Sequence, residues 1–143
     1  MAEPAAASPT VSVPHAVSRV RVRYAETDKM GVVYHANYLV WFEVGRCDLL
    51  RGLGHSYREL EVDGVHLPVI EASCEYRQPA RYDDELSIRT TGRLLSPVRI
   101  AFDYEVTRLG DGIRAASGHT VHASVNAVGK PCRLPSYIRD FFA

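Results

Sequence analysis

The sequence predicts an α+β domain in which a curved antiparallel sheet wraps around one long helix and a short helix closes the chain. Residues 37–50 are apolar on nearly every side of their first two turns, so this helix has to be enclosed. One segment with the alternation of a strand precedes the helix, and four follow it. This order favours a single sheet whose strands all pack on the same helix.

The strand signal is clearest in residues 98–108, where apolar and polar side chains alternate. Asn37 is the predicted N-cap of the long helix, and Gly52 or Gly54 its predicted end. Within this helix Glu43 is expected to pair with Arg46 at i,i+3. The predicted strands cover residues 18–24, 66–77, 85–94, 98–108 and 113–128, and the closing helix covers residues 134–142.

The charge balance of the chain argues against nucleic acid or an anionic membrane as a partner. Seventeen Lys and Arg residues offset seventeen Asp and Glu residues, so the formal net charge is zero. Residues 1–15 contain three prolines and no continuous apolar core, and they match neither a signal peptide nor a membrane span. We expect them to be a disordered tail, followed by a single domain over residues 16–143.

The cysteines and histidines do not form a metal or disulfide pattern. The odd set Cys47, Cys74 and Cys132 has no CxxC spacing, which favours a reducing, cytoplasmic setting. His119 and His122 are three apart on a predicted strand, so their side chains face opposite sides of the sheet. No metal and no cofactor are predicted.

The stretch TDKMGVVYHANY places Asp28 seven residues before His35, close to the predicted helix start. Backbone N–H groups in the first turn of a helix lack intrahelical partners, and they can polarise a carbonyl group. Gly31 lets the intervening loop turn tightly, so the Asp28 carboxylate can approach the same carbonyl. Because a carboxylate is a weak base, the pattern indicates an activated ester such as a thioester.

A resemblance to a known family covers nearly all of the chain after the tail. YAETDKMGVVYHANYLVWFEVGR (24–46) resembles the signature of hotdog-fold acyl-CoA thioesterases of the 4-hydroxybenzoyl-CoA thioesterase type, close to the branch associated with the bacterial Tol-Pal cluster. YRQPARYDDEL (76–86) and GKPCRLP (129–135) extend the similarity. The resemblance implies a homodimer whose sheets join edge to edge, often paired into a tetramer, with the active site at the subunit interface.

The resemblance also implies roles for individual residues. The catalytic aspartate of the family falls on Asp28, and the amide that polarises the thioester carbonyl falls on His35. Ser96 lies near the expected path of the pantetheine arm, and Arg99 and Arg133 are candidates for the coenzyme A phosphates. The further positions that match the lining of the pocket are Tyr34, Asn37 and Tyr38.

Several alternatives stay open at this point. Asp28 either attacks the carbonyl or deprotonates a water, with a slight preference for the water, and as an isolated aspartate it would be a turn residue. His35 contributes either its backbone alone or its imidazole as well. An acyl group on a carrier protein is an alternative substrate, and a non-catalytic acyl-CoA binding module is a third hypothesis. Short, long and aromatic acyl groups are all compatible with the sequence.

Overall fold

The computed structural model describes residues 13–143, and these form one five-stranded antiparallel sheet packed on a long helix. The sheet has the order β1-β3-β4-β5-β2, so β1 and β2 are its two edges. The strands are β1 (His15–Arg21), β2 (Val69–Tyr76), β3 (Glu85–Ser96), β4 (Arg99–Arg108) and β5 (Arg114–Ala123), and the helices are α1 (Asn37–Gly52), α2 (Tyr57–Val62) and α3 (Ser136–Phe142).

The predicted long helix, now α1, packs through its aromatic side chains against the inner face of the sheet. Phe42 is fully buried and stacks on Tyr104 of β4, with ring centroids 4.3 Å apart. Gly118 of β5 lies against the same ring, and a Cβ atom at this position would overlap the ring of Phe42. The close approach of α1 to the sheet therefore depends on a small residue at the centre of β5.

The five strands and the closing helix were predicted, with different limits. β1 begins three residues earlier than expected and ends at Arg21, and β5 ends at Ala123 instead of continuing to residue 128. His66 forms only an isolated bridge with Val125 before β2 begins at Val69. Of the predicted tail, residues 1–12 lie outside the described residues, and His15 is already the first residue of β1.

Helix α2 was not predicted, although its N-terminal signal is present in the sequence. Ser56 accepts a hydrogen bond from the Glu59 N–H, and Glu59 accepts one from the Ser56 N–H. This reciprocal pair is a capping box. With six residues, α2 is too short to show a helical periodicity of its own.

The surroundings of α1 differ from the prediction in two respects. The helix is not enclosed on every side within one chain, because Leu39 and Val40 are 44% and 53% exposed. Glu43 does not pair with Arg46, and it forms no ion pair with any residue between 13 and 143. Arg46 instead donates to the hydroxyl of Tyr104 on the inner side of the helix.

Across residues 13–143, no helix is both long and apolar enough to span a bilayer.

Candidate active site

Asp28 lies in a tight loop between β1 and α1. Thr27 and Val33 form an antiparallel bridge, and the Asp28 N–H donates to the Val32 carbonyl at 2.8 Å. Gly31 has a φ of 81°, which a residue with a side chain rarely adopts, and its N–H donates to the Asp28 carbonyl. The loop therefore turns within five residues and holds Asp28 near the start of α1.

The Asp28 carboxylate is half-buried and has one oxygen committed. Oδ1 accepts a hydrogen bond from the Met30 N–H at 2.9 Å, which fixes the plane of the carboxylate. Oδ2 has no hydrogen-bond partner within residues 13–143. One carboxylate oxygen is thus held by the loop, and the other is available to a water or a substrate.

Two backbone amides at the start of α1 have no hydrogen-bond acceptor in the described part of the chain. The N–H groups of Val33, Tyr34 and Asn37 donate to the carbonyls of Ala80, Glu26 and Tyr34. In contrast, the N–H groups of His35 and Ala36 have no acceptor among the described residues. These two amides are aligned with the positive end of the helix dipole, so they are suited to stabilise an oxyanion.

A cavity of about 320 Å³ joins the carboxylate to the helix start. Its walls combine the polar groups of the loop with aromatic rings of α1 and β2. The residues that line it are Asp28, Met30, Val32, Val33, His35, Tyr38, Tyr76, Arg77, Gln78 and Pro79. The structure therefore brings the predicted residues Asp28, His35 and Tyr38 together in one pocket.

Tyr76 is a further residue of this pocket that was not assigned from the sequence. Its hydroxyl donates to the His35 carbonyl at 3.1 Å, and its ring meets the edge of Tyr38 at 5.3 Å. Burial, followed by a hydrogen bond with Cys74, raises the pKa of Tyr76 to about 12, so the hydroxyl keeps its proton and remains a donor. The position of Tyr76 at the end of a predicted strand, before RQPA, was the available signal.

Tyr34 and Asn37 lie beside the cavity and are not among its lining residues. The Tyr34 ring is tilted against the His35 imidazole, with centroids 4.5 Å apart. Asn37 is not the N-cap of α1, because Ala36 occupies that position without a side-chain cap. The Asn37 side chain instead donates from Nδ2 to the Glu26 carbonyl at 2.9 Å.

The three residues predicted to contact coenzyme A lie at the other end of the sheet. Ser96 and Arg99 flank the β3–β4 turn, where Ser96 Oγ accepts the Val98 N–H. The Leu134 N–H donates to the Pro97 carbonyl, which places the neighbouring Arg133 at the same turn. The Asp28 cavity lies beyond the far end of β4, about 30 Å along the strand.

The histidines of β5 occupy opposite faces of the sheet, in agreement with their spacing. His119 contacts Asp103 at 2.7 Å on the outer face, whereas His122 is fully buried on the inner face. In the region from residue 13 to residue 143, no three side chains of His, Cys, Asp or Glu are grouped closely enough to hold a metal ion.

Comparisons with solved structures identify the fold as the hotdog fold of thioesterases, as predicted. The chain superposes on the DHNA-CoA thioesterase from Staphylococcus aureus with a TM-score of 0.82, at 35% identity, over 89% of this chain and 85% of that one. The 1,4-dihydroxy-2-naphthoyl-CoA thioesterase Slr0204 from Synechocystis gives a TM-score of 0.84 at 25% identity, over 90% and 95% of the two chains.

The chain belongs to the thioesterase-like superfamily, whose family model matches residues 22–142. Among curated proteins, the acyl-CoA thioesterase YbgC from Haemophilus influenzae is 36% identical over 126 residues. That match covers 86% of this chain and 90% of the relative. The fold and the family together define a hydrolase, which confirms the predicted class of enzyme.

Proposed function

We propose that this protein is an acyl-CoA thioesterase in which Asp28 and the start of α1 act on the same thioester carbonyl. The observation that carries the proposal is the pairing of free groups around one cavity. Among residues 13–143, Asp28 has one carboxylate oxygen without a hydrogen-bond partner, and the N–H groups of His35 and Ala36 have no acceptor. The names of the relatives support the substrate class, since they include acyl-CoA and aromatic acyl-CoA thioesterases.

The reaction begins when the thioester carbonyl oxygen accepts hydrogen bonds from the free amides of His35 and Ala36. Asp28 Oδ2 removes a proton from a water as that water bonds to the carbonyl carbon, and negative charge collects on the oxygen facing the amides. Collapse of this intermediate breaks the carbon–sulfur bond, and the proton is transferred from Asp28 to the departing sulfur. The products are a free acid and coenzyme A.

Direct attack by Asp28 is the other route and gives the same products. Its carboxylate would displace the thiolate to form a mixed anhydride, which water then hydrolyses. The hydrogen bond from the Met30 N–H leaves one oxygen available for either role. The half-buried position of Asp28 beside a cavity admits water, which favours the water route.

A homodimer accounts for the separation between Asp28 and the predicted coenzyme A contacts. β2 is an edge strand that exposes Val69, Ile70 and Tyr76, and such an edge can pair with an identical strand. Antiparallel pairing of two β2 strands reverses one sheet relative to the other. Ser96 and Arg133 of the second subunit then lie at the same end of the dimer as Asp28 of the first subunit. Residues of both subunits therefore form the active site at their interface.

The same pairing accounts for the exposed face of α1. Leu39 and Val40 are apolar and follow the active-site turn directly, so a second subunit that covers this end of the molecule also covers them. In a tetramer, the two dimers would contact each other through other surfaces.

We place the enzyme in the cytoplasm, where its three free cysteines stay reduced. Its membership of the Tol-Pal branch stays a prediction from the sequence motif.

Release of free thiol from a panel of acyl-CoAs tests the proposed function. Aromatic acyl-CoAs lead the panel because the rings of Tyr38 and Tyr76 line the cavity. Short and long aliphatic acyl-CoAs and the corresponding acyl-carrier-protein thioesters complete it. Hydrolysis of at least one acyl-CoA by the wild type, lost in Asp28→Asn, supports the proposal. Hydrolysis of the carrier-bound esters alone would show that a carrier protein, and not coenzyme A, carries the acyl group. No thiol release from any member of the panel would favour a binding role.

A further inference from the structure

The Glu26 carbonyl, two residues before Asp28, accepts two hydrogen bonds from the start of α1. One comes from the backbone N–H of Tyr34 and the other from the side-chain Nδ2 of Asn37, both at 2.9 Å. Tyr34 and Asn37 are the residues immediately before and after His35 and Ala36. The two free amides are therefore held from both sides against a single backbone oxygen.

Glu26 is itself fixed in place. The residue is only 6% exposed, although its side chain carries a carboxyl group. Oε1 accepts the Arg23 N–H at 2.7 Å, and Oε2 accepts the Arg23 guanidinium at 3.2 Å. A buried carboxylate with both oxygens bonded has little freedom to move, so the Glu26 carbonyl is a rigid reference point for the helix start.

Asn37 supplies the only side-chain hydrogen bond from α1 to residues 24–34 within the described part of the chain. The other hydrogen bond between these segments, from the Asn37 N–H to the Tyr34 carbonyl, is made by the backbone and does not depend on side-chain identity. Asn37 does not line the cavity. Any effect of this side chain on the reaction must therefore act through the groups that it holds.

We propose that Asn37 is a positioning residue that sets the separation between the Asp28 carboxylate and the amides of His35 and Ala36, an inference that rests on the proposed function. Catalysis needs the attacking group and the oxyanion donors in a fixed relative geometry, and an error of about 1 Å costs about 100-fold in rate. Asn37 meets this need with a hydrogen bond from the first turn of the helix to the residue that leads into the catalytic loop.

Asn37→Asp and Asn37→Ala test the role of the donated hydrogen. An ionised carboxylate at position 37 cannot donate and repels the Glu26 carbonyl, whereas a protonated carboxyl can donate its O–H to the same oxygen. At pH 8 we expect kcat of both variants to fall by about 10- to 100-fold with KM within about twofold of the wild type. The thermal midpoints are measured alongside, so that rates are compared only where each protein is folded.

The pH dependence separates positioning from a general structural defect. For Asn37→Asp, we expect the ratio of its kcat to the wild-type kcat to rise several-fold as the pH falls from 8 to 4, because the introduced carboxyl, with an ordinary pKa of about 3.9, regains a proton in the lower part of that range. For Asn37→Ala the ratio should stay constant over the same range. If the ratio of variant to wild-type kcat were independent of pH for both variants, the Asn37 side chain would not act as a hydrogen-bond donor. If both variants had the wild-type kcat, Asn37 would not be a positioning residue. A wild type without thioesterase activity would instead overturn the proposed function, and the inference with it.

Discussion

Two polar clusters contact α1, one open to solvent and one closed within the core. The open cluster comprises Asp28, His35 and Ala36, and it keeps one carboxylate oxygen and two N–H groups without partners in the described chain. The closed cluster is a chain of hydrogen bonds beneath the sheet. It runs from Arg46 to Tyr104 at 3.5 Å, to Thr120 at 2.7 Å, to His122 at 3.0 Å and to the Leu67 carbonyl at 2.9 Å.

The direction of every hydrogen bond in the closed cluster follows from its two ends. The Arg46 guanidinium can only donate, and the Leu67 carbonyl can only accept. Tyr104 therefore donates to Thr120, Thr120 donates to His122 Nε2, and His122 donates from Nδ1. Both clusters contain a histidine and charged groups, so residue type does not distinguish them. The difference is that, within residues 13–143, the open cluster leaves an acceptor and two donors unpaired beside a cavity, whereas the hydroxyl and imidazole groups of the closed cluster bond to one another in the core.

Asp28→Asn should have the largest effect, and only on activity. The amide is nearly the same shape as the carboxylate but cannot act as a base, so we expect kcat to fall by about 10³-fold. The thermal midpoint should stay within about a degree of the wild type. Asp140→Asn, on an exposed acid of α3 outside both clusters, is the matched control. Comparable loss of activity in that control would show that charge removal in general is responsible.

Acid should weaken the closed cluster through His122. Burial lowers the pKa of His122 to about 4, against the usual 6.5 in the unfolded chain. The unfolded state therefore binds the proton first, and the stability from neutral His122 is full above pH 6.5 and is lost as the pH falls toward 4. The total loss is about 3 kcal/mol.

Denaturant unfolding of the wild type and His122→Gln at several pH values measures this effect. The variant should be less stable at pH 7, because glutamine does not reproduce both hydrogen bonds, and its free energy of unfolding should fall less between pH 6.5 and 4. Parallel decline of the two proteins over that range would mean that another group is responsible.

Tyr104→Phe should destabilise the fold by about 2 kcal/mol, since it removes the hydroxyl between Arg46 and Thr120. Arg46 Nε already lacks a partner among residues 13–143, so the buried guanidinium would lose a further bond. Activity per folded molecule should stay near that of the wild type. Tyr24→Phe, at a tyrosine that is 77% exposed, should leave the free energy of unfolding unchanged. A selective loss of kcat in Tyr104→Phe without destabilisation would remove the distinction between the clusters.

Tyr76→Phe should have the smallest effect, because it removes only the hydrogen bond from the Tyr76 hydroxyl to the His35 carbonyl and keeps the ring beside the His35 imidazole. We expect kcat/KM to fall a few-fold, equivalent to about 1 kcal/mol for one neutral hydrogen bond. Tyr82→Phe is the control, since the Tyr82 hydroxyl makes no hydrogen bond within the described residues. Equal rates for Tyr76→Phe and the wild type would assign Tyr76 to the pocket wall alone.

Local pattern was sufficient for most of the fold and for the centre of the site. The alternation along β4 and the apolar run of α1 identified the sheet and its helix, and the Asp28–His35 spacing identified the two sides of the cavity. The local sequence pattern did not predict the hydrogen-bond partners of individual side chains. Asn37 looked like a cap but donates to Glu26, and Arg46 looked like a partner of Glu43 but turns inward to Tyr104.

The position of the predicted coenzyme A contacts could not be predicted without the sheet topology. Ser96, Arg99 and Arg133 are compatible with a phosphate or pantetheine site when judged by residue type. Only the order and direction of the strands show that they lie at the opposite end of β4 from Asp28. Long-range placement of this kind depends on which strands pair, and strand pairing is not encoded in the alternation of any single strand.

Infrared spectroscopy of a bound thioester tests most directly whether the open cluster receives a carbonyl group. The Asp28→Asn variant would be saturated with an intact acyl-CoA that the wild type hydrolyses and whose thioester carbonyl carries carbon-13. The infrared band of the labelled carbonyl is then compared with that of the same ester in water. If the amides of His35 and Ala36 donate to the carbonyl oxygen, the bound band lies at lower wavenumber than in water, because the C=O bond is polarised. A bound band at or above the position in water would contradict the account.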